Sequence, residues 1–95
     1  MTEEKFKEIL DAEETDTVEF KSWVNARNMK EIISLAVDEL IAFANNKGGT
    51  VYFGVEDNPI EVTGCDRNYD GQRIIEGIYD RTVPPLFTEI SDFEY

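Results

Sequence analysis

The side chains of this chain that could do chemistry are carboxylates. Of its 95 residues, 21 are Asp or Glu, none is histidine, and Cys65 is the only cysteine. Those counts exclude a Cys/His zinc site, a histidine general base, a Ser-His-Asp triad and an internal disulfide. What remains is Asp, Glu, Lys, Arg, Tyr and backbone amides, together with a hard cation held by oxygen. Three acids stand out by position. Glu19 falls on the wet face of a strand pattern, Glu14 lies just before it, and Asp57 follows the run Thr50 to Val55, TVYFGV. If those two strands are neighbours, the three carboxylates converge. Their repulsion then calls for a proton, a lysine or a divalent cation. Mg²⁺ or Mn²⁺ would suit such a site, and a metal-bound water could attack a phosphodiester. The competing reading is chance clustering in an acid-rich chain. Lys21 has two readings as well: it faces a phosphate or pairs with Glu19 or Asp57, or it is a solvated lysine balancing local acids.

Two further motifs have structural explanations. Gly48-Gly49 follows a helix and leads into a strand, so the nearby helix end is the negative one. That makes a tight turn the better account than a phosphate cradle. Asp66-Arg67-Asn68-Tyr69-Asp70-Gly71 opens like a calcium loop, but Gly77 stands where the bidentate Glu belongs. A turn with an Asp N-cap on the next helix fits better.

The elements that would position these residues are legible from periodicity. Glu3 to Asp11 reads as a short amphipathic helix with Phe6, Ile9 and Leu10 inward. Thr17 to Lys21 alternates as a half-buried strand, with Val18 and Phe20 on its apolar face. Met29 to Asn45 is the strongest helix, opened by an Asn28/Glu31 capping box and lined by Ile33, Ala36, Val37, Leu40, Ile41 and Ala44, with Ile32, Leu35 and Phe43 widening the apolar face. Thr50 to Val55 reads as a central strand, Glu56 to Pro59 as a turn, and Ile60 to Thr63 as a return strand. Asp70 to Arg81 forms a further helix with Ile74, Ile75, Ile78 and Tyr79 inward, and Leu86 to Tyr95 alternates as a last strand. The expected fold is α/β (α+β), a small mixed sheet packed by two or three helices. We expect one domain over 1–95, the N-terminal part of a longer protein, because the chain stops inside a strand pattern.

The net charge is −12, with 41% hydrophobic residues. Residues 1–20 carry −6 and 89–95 carry −3, so the middle holds only −3. No basic stripe is visible. Nucleic acid, if bound, would meet Lys21, Lys47, Arg67 and Arg73, and the contact would be weak. No apolar run approaches the roughly 18 residues of a membrane span, and the acidic start is no signal peptide. We therefore expect a cytoplasmic protein without a membrane partner.

Read in order, Glu14-Thr15-Asp16-Thr17-Val18-Glu19-Phe20-Lys21, Leu40 to Gly49 (LIAFANNKGG), Tyr52 to Asp57 (YFGVED) and Val62-Thr63-Gly64 form a string of four motifs. This string resembles the Schlafen AlbA-2 domain, also called divergent AAA-4, over about residues 10–90. Thr15 takes the common Ser place, and Asn46 replaces the usual Thr. The resemblance implies a DNA-binding regulatory domain, since bacterial and archaeal members open longer transcriptional regulators that carry a winged helix. It also implies an alternative. In animal Schlafens the related domain contributes to a metal-dependent endoribonuclease, whose three acids correspond here to Glu14, Glu19 and Asp57. These three would then be catalytic and would hold Mg²⁺ or Mn²⁺; the regulatory reading needs no cofactor and makes this chain no enzyme. A third reading is pure self-association as a homo-oligomer. DNA or RNA would be reached mainly through additional domains.

Overall fold

The computed structural model describes residues 1–92, 94 and 95. Helix α1 spans Glu3–Ala12, strand β1 Val18–Lys21, helix α2 Met29–Ala44, strand β2 Thr50–Phe53, strand β3 Val55–Glu56, strand β4 Glu61–Val62 and helix α3 Gly71–Arg81. β1 and β2 pair in parallel, Val18 opposite Thr50 and Lys21 opposite Phe53. Parallel neighbours need a long crossover, and α2 supplies it.

Each helix starts where its sequence says. Thr2, Asn28 and Asp70 cap α1, α2 and α3, their side chains accepting from the backbone N–H three residues on. The α2 box closes one residue early. Asn28 Oδ1 accepts from Glu31 N–H at 3.0 Å, but the Glu31 carboxylate reaches back to the Arg27 N–H at 3.2 Å. At the other end, the Gly48 N–H donates to Phe43 O, with Gly48 at φ +84. Gly49 then slides against the Phe43 ring so closely that a Cβ there would lie 2.6 Å from the nearest ring carbon. The glycine pair is thus a helix-to-strand turn.

Two buried clusters lie on opposite faces of the β1–β2 pair. On one face Phe6 of α1 meets Phe20 and Val55. The Tyr52 ring lies between, 5.8 Å from Phe6 and 6.2 Å from Phe20, centre to centre. On the other face Ile32, Ile33, Ala36 and Val37 of α2 pack against Ile74 and Ile78 of α3, with Phe53 alongside. Gly77 allows the close approach of the two helices, because a Cβ on it would sit 2.7 Å from Ile33 Cδ1. Ile41 and Tyr79, expected inward, are 41% and 43% exposed, and Leu40 is only half-buried. The α2 seam turns through Phe43 instead of Ala44.

Two expected strands differ. The run Thr50 to Val55 is broken at Gly54, which takes φ +91 and directs the chain from the parallel pair into an antiparallel hairpin of β3 and β4. Gly54 N–H still donates to Lys21 O, while its own carbonyl accepts from the N–H groups of Thr63 and Gly64. A Cβ at Gly54 would lie 2.8 Å from the Gly64 carbonyl carbon, so the crossing requires glycine. Leu86 to Tyr95 forms no strand among its described residues; Phe93 lies outside them. Leu86 and Ile90 pack on the α2–α3 core, and the buried Thr82 hydroxyl accepts from Leu86 N–H while donating to Ile78 O. The segment lies along the core through its side chains without a backbone ladder.

Candidate functional site: a carboxylate cluster at the edge of β1

The outer edge of β1 is closed by the residues just before it. Thr15 N–H donates to Val18 O at 3.1 Å, and Glu14 Oε2 accepts from Phe20 N–H at 3.0 Å. An open strand edge invites pairing with another chain, and these two bonds satisfy it. They also fix the Glu14 carboxylate beside the strand, within hydrogen-bonding reach of Glu19 and Asp57.

Asp57 arrives from the hairpin turn. The neighbouring Glu56 carboxylate anchors that turn, accepting from Asn25 Nδ2 at 3.0 Å and from the Thr63 hydroxyl at 2.8 Å. Glu14 thus interacts with both of the other acids singled out by sequence, Glu19 and Asp57.

Glu19 and Lys21 do not lie on a wet face. Helix α2 partly covers their side of the sheet, and each side chain is 24% exposed. Glu39 of α2 closes the group: Lys21 Nζ stands 3.2 Å from Glu39 Oε1 and 3.7 Å from Glu19 Oε1. Lys21 is thus held by two carboxylates, Glu19 and Glu39. Glu39 is the member that sequence reasoning missed. Its only signal was a polar position on a helix otherwise apolar over most of its girth.

The electrostatics separate two of the acids. The Phe20 N–H holds Glu14 below the ordinary carboxylate value, with hydrogen bonds to Glu19 and Asp57 adding to the effect. Burial, the hydrogen bond to Glu14 and the charges of Glu39 and Glu14 push Glu19 up to about 7. Burial works against the charge on Lys21, but the hydrogen bond and charge of Glu39, with the charges of Glu19 and Glu14, outweigh it and raise its value. Near neutrality, then, the cluster shares a proton between Glu14 and Glu19.

The oxygen donors have the right hardness for Mg²⁺ or Mn²⁺. Among the described residues no group of three His, Cys, Asp or Glu stands so as to hold a metal ion. One Glu14 oxygen is engaged by the strand backbone, and Glu19 is paired with Lys21.

Of the basic residues expected at nucleic acid, Lys21 belongs to this cluster. Lys47 pairs with Asp16 at 3.7 Å, and Arg67 with Glu94 at 3.6 Å. Arg73 projects from α3, exposed and without a carboxylate partner among the described residues. In the former calcium-loop candidate, Asp66 Oδ1 accepts from Asn68 N–H and Asp70 caps α3, a turn and a cap. No described helix is long and apolar enough to cross a membrane.

A model of the family described as Schlafen, AlbA_2 matches residues 14–95, from the first acid of the cluster to the end of the chain. An uncharacterized ATP-binding protein of Ureaplasma parvum serovar 3 is 29% identical over 96% of this chain, which spans 28% of that relative's length. No solved structure matches.

Proposed function

The chain belongs to the Schlafen AlbA_2 family, and from that membership we propose that it is a nucleic-acid-binding regulatory module, contacting DNA in the cytoplasm as part of a transcriptional regulator. The observation that carries a binding role over a catalytic one is the engagement of Glu14. Its carboxylate satisfies the Phe20 N–H at the edge of β1, and its partner Glu19 is paired with Lys21. A group that holds the sheet together is poorly placed to exchange ligands during turnover. The cluster thus fixes the sheet edge, and contact with nucleic acid falls to cations elsewhere.

Titration of labelled duplex DNA with the protein, from low to physiological ionic strength, tests this reading. We expect weak binding with a shallow salt slope, because few phosphates are neutralised. Absence of binding to DNA and RNA even at low ionic strength would refute it. ATP, which appears in the name of the Ureaplasma relative, is the control ligand in the same titration. The convergence of Glu14 on Glu19 and Asp57 favours one second reading, a metal-dependent ribonuclease. Mn²⁺-dependent cleavage of single-stranded RNA, lost in Asp57→Asn, would establish that reading instead.

A further inference from the structure

In a chain with 21 acids and nine bases, the cations without a carboxylate partner are those left open to a phosphate. Lys7, Lys21, Arg27, Lys47 and Arg67 each stand within 4 Å of an acid. Among the described residues only Lys5, Lys30, Arg73 and Arg81 lack such a partner. Three of those four line one feature, the open groove between α2 and α3. It consists of two adjoining depressions of about 290 and 320 Å³ that share Lys30 and Arg81, with Arg73 on the second.

The acids of this groove offset its cations only in part. Glu31 is paired with Arg27 at 3.0 Å, while Glu76, which accepts from Gln72 at 3.1 Å, and Asp80 keep their charges against Lys30, Arg73 and Arg81. Counting Arg27, the groove holds four cations to three acids, while the rest of the chain holds five to eighteen. Gly77 and Ile33, where the helices meet closely, line the groove together with Lys30, Arg73 and Arg81. Charges interact over about 8 Å at physiological salt, and within the groove the cations outnumber the acids by one.

We propose that the phosphodiester backbone of the bound nucleic acid runs along the α2–α3 groove, gripped by Lys30, Arg73 and Arg81. This assignment rests on the nucleic-acid reading above and locates its contact surface. The contacts are to phosphate, so they position the chain on the nucleic acid without reading its sequence. Three phosphate contacts account for both features expected of binding: it is weak, and its salt slope is about 2.7 on a log–log plot.

The test compares wild type with the triple variant Lys30→Gln, Arg73→Gln, Arg81→Gln and with the control Lys47→Gln, Arg67→Gln, using labelled duplex DNA and single-stranded RNA across a salt series. All five side chains are exposed, so thermal melting should confirm unchanged folds. Arg73→Gln alone serves if the triple variant melts early. The expected result is a loss of at least tenfold in affinity for the triple variant, with its salt slope collapsing towards zero and the control within twofold of wild type. Loss in the control with the triple variant binding as wild type would overturn the groove assignment while leaving the nucleic-acid reading intact. A wild type that binds neither probe would refute both.

Discussion

Glu19→Gln should stabilise this protein at pH 8 and leave it almost unchanged at pH 5. Glu19 is pushed from 4.5 up to about 7 by burial, by its hydrogen bond to Glu14 and by the charges of Glu39 and Glu14. The folded state therefore binds its proton more tightly than the unfolded chain does. Such a group contributes stability that is fully present below about pH 4.5 and is lost as pH rises through about 7. Glu14, held low by the Phe20 N–H, acts in the opposite sense, its contribution being lost as pH falls below 4.5. Between pH 5 and 8 the Glu19 effect is the one observed. A rise from 4.5 to about 7 converts, at about 1.4 kcal/mol per tenfold in proton affinity, to about 3–4 kcal/mol, an upper bound because solvent screens a side chain that retains 24% exposure. An effect of about 1–2 kcal/mol remains, equivalent to roughly 4–15 °C in Tm for a domain of this size. Glutamine mimics the protonated acid and can donate to Glu14, so the variant should not show this decline. Urea unfolding of wild type and variant at pH 5, 6, 7 and 8 in low salt measures the effect. A wild-type stability that is flat or rising over that range, at a constant offset from the variant, would refute the shared-proton account.

Glu14→Ala should uncover the edge of β1, with the Phe20 amide exchanging faster and a stability loss of about 1–3 kcal/mol, partly offset by relief of repulsion with Glu19. Native-state hydrogen exchange checks this, and unchanged protection at Phe20 would contradict the capping role. Gly49→Ala drives a Cβ into the Phe43 ring and should cost about 1–3 kcal/mol by urea midpoint. Although Cys65 is an exposed residue, its sulfur lies against Phe53 O at 3.2 Å, and partial desolvation with the Asp92 charge pushes the thiol up to about 11. Its alkylation by iodoacetamide at pH 8 should then be ~10–100-fold slower than that of a free thiol, and a rate matching glutathione would show the thiol to be unperturbed.

Much of this fold was legible because its signals are local. The caps at Asn28 and Asp70, the alternation around Phe20 and the turn at Gly48-Gly49 each depend on residues within a few positions of one another. That Glu14 lies near Glu19 and Asp57 was legible, but their setting was not. Alternation places Glu19 and Lys21 on the face opposite Phe20, and it cannot say that a second helix will partly cover that face. Hence Glu39, distant in sequence, went unseen. The C-terminal segment shows the same limit. Its burial does alternate at Leu86, Thr88 and Ile90, as the pattern promises. Periodicity reports where side chains go, however, and a strand also needs a partner backbone, which the described residues there lack. The α2–α3 groove escaped because Lys30, Arg73 and Arg81 are scattered in sequence and are brought together only by helix packing.

The crossing at Gly54 has a consequence for how related sequences are compared. The turn that carries Asp57 is placed by one backbone passing over another, with Gly54 against Gly64 at a separation no side chain could occupy. The third carboxylate therefore owes its position to a residue with no functional group. A relative could keep all three acids in register and still lack the cluster, if a single β-carbon pushed the hairpin away. Conversely, a relative that kept the crossing could exchange an acid and preserve the scaffold. In judging which members of the family retain the carboxylate cluster, the glycine is as informative as the acids it positions.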